Sequence, residues 1–271
     1  MNNEELSLED LCHASCKVVR EVGDFIKKEL GKVSDEKVEL KSLNSLVSYV
    51  DKNAEMMLVE NLGKLLHGST FLTEEETVVQ QKSDKLWIID PLDGTTNFIH
   101  QLPIFSISVA LYDESEGKLG IIYDIMQDKM YYAWKNGGAY CNGNPIKVNA
   151  TQKLPDSLLV TGFPYYDYGR LDAYMELLKY FTRNTRGIRR LGSAAIDLAY
   201  VARGVFEAFY EYSLSPWDVA AGILIVKEAG GKVSGFDSND DPLYGRTILA
   251  SNGHVHEEIL GVINLFFMDS K

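Results

Sequence analysis

Between Leu11 and Leu30, apolar residues recur at Leu11, Ala14, Val18, Val22, Phe25 and Leu30, a spacing that predicts an amphipathic helix. Ser7-Leu8-Glu9-Asp10 just before it has the form of a capping box. Leu46-Val47-Ser48-Tyr49-Val50 has β character and ends at Asp51. A second amphipathic helix follows, with Met57, Leu58, Leu62, Leu65 and Leu66 on its apolar side. Ser69–Thr73 reads as a short strand leading into Glu74-Glu75-Glu76. Leu86-Trp87-Ile88-Ile89 reads as a buried strand that stops at Asp90-Pro91.

From Phe105 to Lys147 short β-branched and aromatic runs alternate with turn signals at Asp113–Gly117, Asn136-Gly137 and Asn142-Gly143. That pattern predicts an antiparallel meander. After Leu154 the elements alternate. Strands are expected at Ser157–Thr161, Gly187–Leu191, Val205–Tyr212, Lys232–Ser234 and Thr247–Ser251. Helices are expected at Arg170–Thr182, Ser193–Ala202, Trp217–Ala229 and His254–Phe266. No Pro/Gly/Ser-rich linker, repeat or low-complexity stretch interrupts the pattern. The expectation is one layered α/β body spanning 1–271, in an N-terminal half 1–147 and a C-terminal half 148–271.

Composition changes this picture little. The chain has 271 residues, 45% hydrophobic and 24% charged, which is ordinary for a globular domain. No apolar run approaches the ~18 residues of a membrane span. The start, Met1 to Leu11, lacks a basic region followed by an apolar core, so no secretory signal is expected and the reading is cytoplasmic, without a membrane partner. Cys12, Cys16 and Cys141 do not cluster with further Cys/His ligands, so they read as reduced thiols rather than a zinc site or a bridge. Charge changes more. A net charge of −12 with no basic stripe argues against nucleic acid as a main partner. A chain so acidic binds a phosphate well only with a cation in between, and divalent metal would also use the excess carboxylates.

The sharpest chemistry lies in Trp87–Phe98. A hydrophobic strand delivers Asp90 at its end, Pro91 breaks the ladder, and Asp93 precedes Gly94-Thr95-Thr96. Two carboxylates on a tight turn can share a pair of hard cations. Gly94 lets the backbone approach a ligand closely, and the N–H groups of a helix start can face a phosphate. Taken alone, the same run is also an Asx-type turn. Glu74-Glu75-Glu76 is either a ligand-bearing strand end or a solvated acidic loop. Asp51 is either functional or a helix N-cap. Asp218, in the first turn of the small, apolar helix opened by Pro216-Trp217, is either a cap or a carboxylate held against a Trp wall. These carboxylates come from separate elements near strand ends or helix starts, where α/β sheets place ligands. His13, His67, His100, His254 and His256 lie in unrelated contexts, so no histidine or cysteine covalent mechanism is supported.

Asp90-Pro91-Leu92-Asp93-Gly94-Thr95-Thr96 and Trp217-Asp218-Val219-Ala220-Ala221-Gly222, in that order, resemble the two signatures of the inositol monophosphatase family. The resemblance covers nearly the whole chain. Gly192-Ser193-Ala194-Ala195 and Glu211 stand where that family contacts its substrate. The resemblance implies an αβαβα sandwich of the inositol monophosphatase/fructose-1,6-bisphosphatase type, a lithium-sensitive phosphatase activity, a homodimer and two or three Mg²⁺ ions. Carried over by residue, it implies Glu74, Asp90 and the Leu92 carbonyl at a first Mg²⁺, and Asp90, Asp93 and Asp218 at a second. Glu74 would border a weaker third site. Thr95 and Asp51 would orient the attacking water, and the N–H groups of Gly94 and Thr95 would take the phosphate. Asp93, Ala194 and Glu211 would line the polyol hydroxyls, with Asp218 beside them.

Two local departures stand out: Thr73-Glu74-Glu75 replaces the family's usual Gly-Glu-Glu, and Ser45-Leu46-Val47-Ser48 replaces its Asp-Leu-Val-Thr. The expected reaction is in-line attack by water on the monophosphate of inositol or a related small polyol, with two Mg²⁺ about 4 Å apart and no phosphoenzyme. The alternative is a fructose-1,6-bisphosphatase or dual-specificity sugar phosphatase, for which Arg186, Arg189 and Arg190 could supply a second phosphate site. Phosphoadenosine and histidinol-phosphate phosphatases fit less well, since Thr96-Asn97-Phe98 departs from their Lys-Glu-Phe-like or Lys-Ser-Phe-like residues. The rival from another class is a non-catalytic regulatory or RNA-polymerase-associated factor. The homodimer is also expected because the aromatic run Tyr123–Tyr140 offers apolar surface needing cover.

Overall fold

The computed structural model describes residues 6–33, 38–42, 45–78, 83–165, 167–237 and 239–268, with no side-chain detail for 38–47 or Met268. Helix α1 (Leu8–Glu29) starts at the N-cap Ser7, whose Oγ accepts the Asp10 N–H at 3.1 Å. A hairpin of β1 (Val38–Ser42) and β2 (Ser45–Ser48) leads into α2 (Tyr49–Leu65). Thus Tyr49 and Val50, expected as strand, are helical, and the cap is Ser48 rather than Asp51. The buried stripe of α2 is Val50, Ala54, Leu58 and Leu62, and it carries Asp51 and Glu55 with it.

Next come β3 (Thr70–Thr73), β4 (Lys85–Asp93) and α3 (Thr95–Ile99). The meander follows as β5 (Ser106–Asp113), β6 (Glu116–Asp124), β7 (Lys129–Trp134), β8 (Gly138–Cys141) and β9 (Asn144–Ile146). Strands β3 to β9 form a seven-stranded sheet in sequence order, antiparallel except for the β3–β4 pair.

The remaining elements are β10 (Leu158–Thr161), α4 (Leu171–Asn184), β11 (Gly187–Arg189), α5 (Ala194–Ala202) and β12 (Ala208–Tyr212). They end with α6 (Pro216–Glu228), β13 (Lys232–Ser234), β14 (Thr247–Ser251) and α7 (His256–Ile263). The second sheet has five strands in the order β11-β10-β12-β14-β13. Strand β12 starts at Ala208, later than the expected Val205, because Arg203–Glu207 turn out of α5.

The layers alternate. Helices α1 and α2 pack on the outer face of the seven-stranded sheet, α5 and α6 lie between the sheets, and α4 and α7 cover the five-stranded sheet. Three apolar cores match these contacts: Leu11, Val22, Leu58 and Trp87 in the first, Ile122, Leu198, Ala220 and Phe209 in the second, Tyr174, Phe181 and Ile259 in the third. Burial on this scale is the main favourable term in folding. Helices α5 and α6 are apolar all round because both flanks are sheets. The αβαβα sandwich expected from the sequence is therefore the fold observed.

One expectation about surfaces changes. Tyr123, Tyr131 and Tyr132 are buried, and the rings of Tyr132, Trp134 and Tyr140 stack with centroids 5.3–6.4 Å apart. The aromatic meander therefore satisfies much of its apolar area within the chain. The Cys12, Cys16 and Cys141 thiols are free. No described helix is long and apolar enough to cross a membrane.

Candidate active site

The sheet register explains how β4 presents its carboxylates. Pairing with β5 runs from Lys85–Asp113 to Asp90–Ser108, then resumes at Asp93–Ser106. The strand does not stop at Asp90-Pro91; it bulges there, and Pro91 sits where no N–H is required. Asp90 Oδ1 accepts the Leu92 N–H at 2.9 Å, closing the bulge. Gly94 follows at φ +92, where a Cβ would lie 3.1 Å from the Ile104 carbonyl oxygen and 3.2 Å from that of Gly192. Both the left-handed backbone and the space demand glycine. Gly94 opens α3 without a side-chain cap.

Asp93 is fastened from across the chain. Its Oδ2 accepts the Ser193 hydroxyl at 2.5 Å, the Ala195 N–H at 2.8 Å and the Ser106 hydroxyl at 3.4 Å. Asp51 and Asp218 share another device. Each is the third residue of its helix and closes a capping box: Asp51 Oδ2 accepts the Ser48 N–H at 2.9 Å, and Asp218 Oδ2 accepts the Ser215 N–H at 2.7 Å. Asp51 Oδ1 also accepts the Thr95 hydroxyl at 2.9 Å. Glu74 follows β3, its N–H donating to the Ile89 carbonyl at 3.3 Å.

These residues meet at one cavity of about 500 Å³. Glu74, Asp90, Leu92, Asp93, Gly94, Thr95, Ala194, Glu211 and Asp218 all line it. Of the expected site residues only Asp51 stands behind the wall, touching it through Thr95. Trp217 forms part of the lining beside Asp218, as expected. The expected arginine cluster does not assemble: Arg186 pairs with Asp156 at 3.2 Å, Arg189 is exposed, and only Arg190 lines the cavity. Arg190 donates to the Tyr165 hydroxyl at 3.0 Å.

Several cavity-shaping residues escaped the sequence reading. Glu55 is fully buried; its oxygens accept the Glu75 N–H at 2.8 Å, the Thr77 N–H at 2.8 Å and the Thr77 hydroxyl at 2.7 Å. It anchors the loop that carries Glu74. Its signal was position, one helical turn beyond Asp51 on the same face. Asp197 lines the cavity one turn into α5, and Gly162 lies against the Glu211 carboxylate. Nothing local in the sequence marks Gly162.

The electrostatics set this cavity apart. Burial, then the charges of Glu74, Asp93 and Asp218, push the Asp90 carboxyl well above the ordinary carboxylate range. Burial and Glu74 push Asp218 well above it too, against the pull of the Ser215 N–H and Arg246. Burial raises Asp93, opposed first by the Ser193 hydrogen bond. Burial also raises Asp51, opposed by Ser48 and Thr95. Crowded, buried like charges are costly unless cations join them. The donor set is all oxygen, which suits a hard divalent cation. Among the described residues no three His, Cys, Asp or Glu side chains close into a ready cage.

The model of the inositol monophosphatase family matches residues 7–264. The chain belongs to that family. With it, the chain is a phosphoric monoester hydrolase, and the family is generally metal-dependent. It is 38% identical over 252 residues to the fructose-1,6-bisphosphatase/inositol-1-monophosphatase of Thermotoga maritima, covering 92% of this chain and 94% of that one. It is 35% identical over 261 residues to the Nus factor SuhB of Pseudomonas aeruginosa, covering 94% and 96%. The solved inositol monophosphatase of Anabaena (Nostoc) is 34% identical with a TM-score of 0.84, over 96% of this chain and 97% of that one.

Proposed function

We propose that this member of the inositol monophosphatase family hydrolyses the phosphate monoester of inositol or a related small polyol, with two Mg²⁺ ions at the carboxylate end of the cavity. The observation that carries the reading is the convergence of Glu74, Asp90, Asp93 and Asp218 with the Thr95–Asp51 hydrogen bond at one cavity. Glu74, Asp90 and the Leu92 carbonyl would hold one ion, and Asp90, Asp93 and Asp218 the other. When bound, Mg²⁺ neutralises the phosphate, acidifies a water and stabilises the leaving alkoxide.

The chain's own residues do the rest. The Thr95 hydroxyl donates to Asp51 and keeps lone pairs for the proton of the attacking water. The uncapped turn at Gly94-Thr95 offers N–H groups to the phosphate. Asp93, Ala194 and Glu211 face the alcohol. No His or Cys among the described residues lines the cavity to act as a nucleophile or to activate the Ser193, Ser213 or Ser215 hydroxyl, which favours direct attack by water.

A bisphosphate reading keeps the same metal end and draws support from the name of the Thermotoga relative. Against it stands the cavity lining, where among the described residues Arg190 is the one arginine and lies beside Glu211 and Asp197. Phosphate release decides between them. The expected result is turnover of inositol 1-phosphate with Mg²⁺, none with EDTA, and weaker turnover of fructose 1,6-bisphosphate. Metal-independent turnover, or no turnover of any phosphate ester by the folded protein, would refute the proposal. The second outcome would favour the regulatory role that the name of the Pseudomonas relative carries.

A further inference from the structure

Asp197 is 1% exposed and lines the cavity, yet its Oδ1 receives no hydrogen bond from any described residue. The other buried aspartates around the cavity each have a donor: Leu92 N–H for Asp90, Ser193, Ala195 and Ser106 for Asp93, Ser48 and Thr95 for Asp51, Ser215 for Asp218. A buried carboxylate oxygen without a donor is costly, and native chains rarely keep one without a use.

Two structural explanations fail. Asp197 does not cap α5, because Ser193 does, its Oγ accepting the Ile196 N–H at 3.2 Å. Nor is it one half of an ion pair. Arg190 is the cation that faces it, but Arg190 is exposed, bonds to Tyr165 and faces Glu211 as well. Burial, then the charges of Glu211 and Asp93, raise the Asp197 carboxyl, so these acids share one end of the cavity. Ala194 and Glu211 line the cavity with it.

What is missing at Asp197 is a donor, and a hydroxyl-rich ligand brings donors. A second phosphate brings only acceptors and negative charge. We propose that Asp197 is a specificity-determining residue, a second hydroxyl acceptor set beside Glu211 so that the two carboxylates read a pair of hydroxyls on an uncharged polyol leaving group and reject one that carries another phosphate. The inference rests on the phosphatase reading of this cavity.

The test compares wild type, Asp197→Ala and the isosteric Asp197→Asn on inositol 1-phosphate, fructose 1,6-bisphosphate and p-nitrophenyl phosphate in Mg²⁺. Asp197→Ala should lose about tenfold or more in kcat/KM for inositol 1-phosphate, chiefly through KM. It should stay within about twofold on p-nitrophenyl phosphate, which lacks the hydroxyls. The ratio of bisphosphate to monophosphate turnover should rise. Removing an unpaired buried charge should leave the melting temperature at or above wild type. Asp197→Asn keeps the shape and should show the same change in bisphosphate ratio even where Ala perturbs the fold. Equal losses on every ester, or no loss on any, would overturn the role of Asp197 alone. A wild type that cleaves p-nitrophenyl phosphate but no polyol monophosphate would overturn the function proposed above together with this inference.

Discussion

Thr95 and Asp51, 44 positions apart, are joined by a hydrogen bond of 2.9 Å, and the same Thr95 hydroxyl lies 2.9 Å from the Leu92 carbonyl oxygen. Both neighbours are acceptors, and a hydroxyl has one proton. The Thr95 oxygen is therefore held as a donor to the protein, with its lone pairs left for a donor in the cavity. Burial raises the Asp51 carboxyl, which favours its acceptance of a proton passed along this bond. Thr95→Val should lower kcat by about 10²-fold or more with little change in KM. Thr95→Ser should retain most activity. Asp51→Asn should resemble Thr95→Val, and the double variant should lose little beyond either single one. Steady-state kinetics check this; additive losses would mean that the two residues act separately.

Asp90 gives the second prediction. Its carboxylate feels Glu74, Asp93 and Asp218 together. Asp90→Asn should cut turnover at least about a hundredfold, the order expected when a shared ligand of a two-metal site is removed. It should also raise the melting temperature in EDTA, because it removes one of four crowded charges. Phosphate release and thermal melts read the two effects. Near-normal turnover by a folded Asp90→Asn at saturating Mg²⁺ would exclude the two-metal assignment.

The loop bearing Glu74 depends on Glu55, whose carboxylate takes three hydrogen bonds from Glu75 and Thr77. Glu55 is not among the residues that line the cavity. Its loss should therefore act through position. Glu55→Ala should destabilise the fold by about 3 kcal/mol, as expected for a broken buried network. It should raise the Mg²⁺ concentration for half-maximal activity about tenfold, the usual effect of losing a residue that orients a ligand. Activity titrated with Mg²⁺ separates this from a plain folding defect, which would lower the plateau without moving the midpoint.

What the sequence made legible follows a physical pattern. Elements with a clear period were readable almost to the residue, as at Lys232–Ser234 and Thr247–Ser251. Asp51 and Asp218 allowed two readings, cap or site; each closes a capping box from the third helical position with one oxygen, and Asp51 gives its other oxygen to Thr95. Pro91 looked like a strand end since a missing donor reads the same at an end or a bulge. The Arg186–Arg190 cluster dispersed because only Arg189 lies in β11: Arg186 precedes the strand and pairs with Asp156, while Arg190 follows it and bonds to Tyr165. Glu55, Gly162 and Asp197 were silent because their meaning lies in contacts between distant segments, and single-chain periodicity carries no such contacts.

Gly162 makes that point testable. A Cβ there would fall 2.1 Å from Glu211 Oε2 and 2.2 Å from Oε1. Its backbone requires no unusual torsion, so the demand for glycine is one of space alone. Gly162→Ala should push the Glu211 carboxylate out of place and copy Glu211→Gln. Both should lose roughly ten- to a hundredfold in kcat/KM for inositol 1-phosphate, the worth of a charged hydrogen bond. Both should keep p-nitrophenyl phosphate turnover. A Gly162→Ala enzyme with unchanged selectivity would show that Glu211 can retreat without cost and does not read the alcohol.

His256 is fully buried, with Nε2 3.0 Å from the Ser234 hydroxyl and Nδ1 2.9 Å from that of Ser251. The two hydroxyls can rotate to suit either neutral tautomer. Burial, and then the charge of Lys232, push the ring down from 6.5 to about 4, with Glu257 opposing. Below pH 6.5 the unfolded chain therefore takes up a proton that the folded chain refuses until about pH 4. The unfolded state binds more protons across that window, so this residue's contribution to stability falls as pH falls. Above the window the effect is flat. Asp197 and Glu211 work in the opposite sense, since their carboxyls are raised in the folded chain and take up protons there first. The absolute melting curve mixes the two, and a comparison with His256→Gln isolates the histidine. The stability of wild type relative to His256→Gln should drop between about pH 7 and about pH 4. Urea melts at both ends of that range measure it. A difference that stays constant with pH would mean that the ring protonates as readily in the folded protein as in the unfolded one, and its burial would then carry no pH dependence.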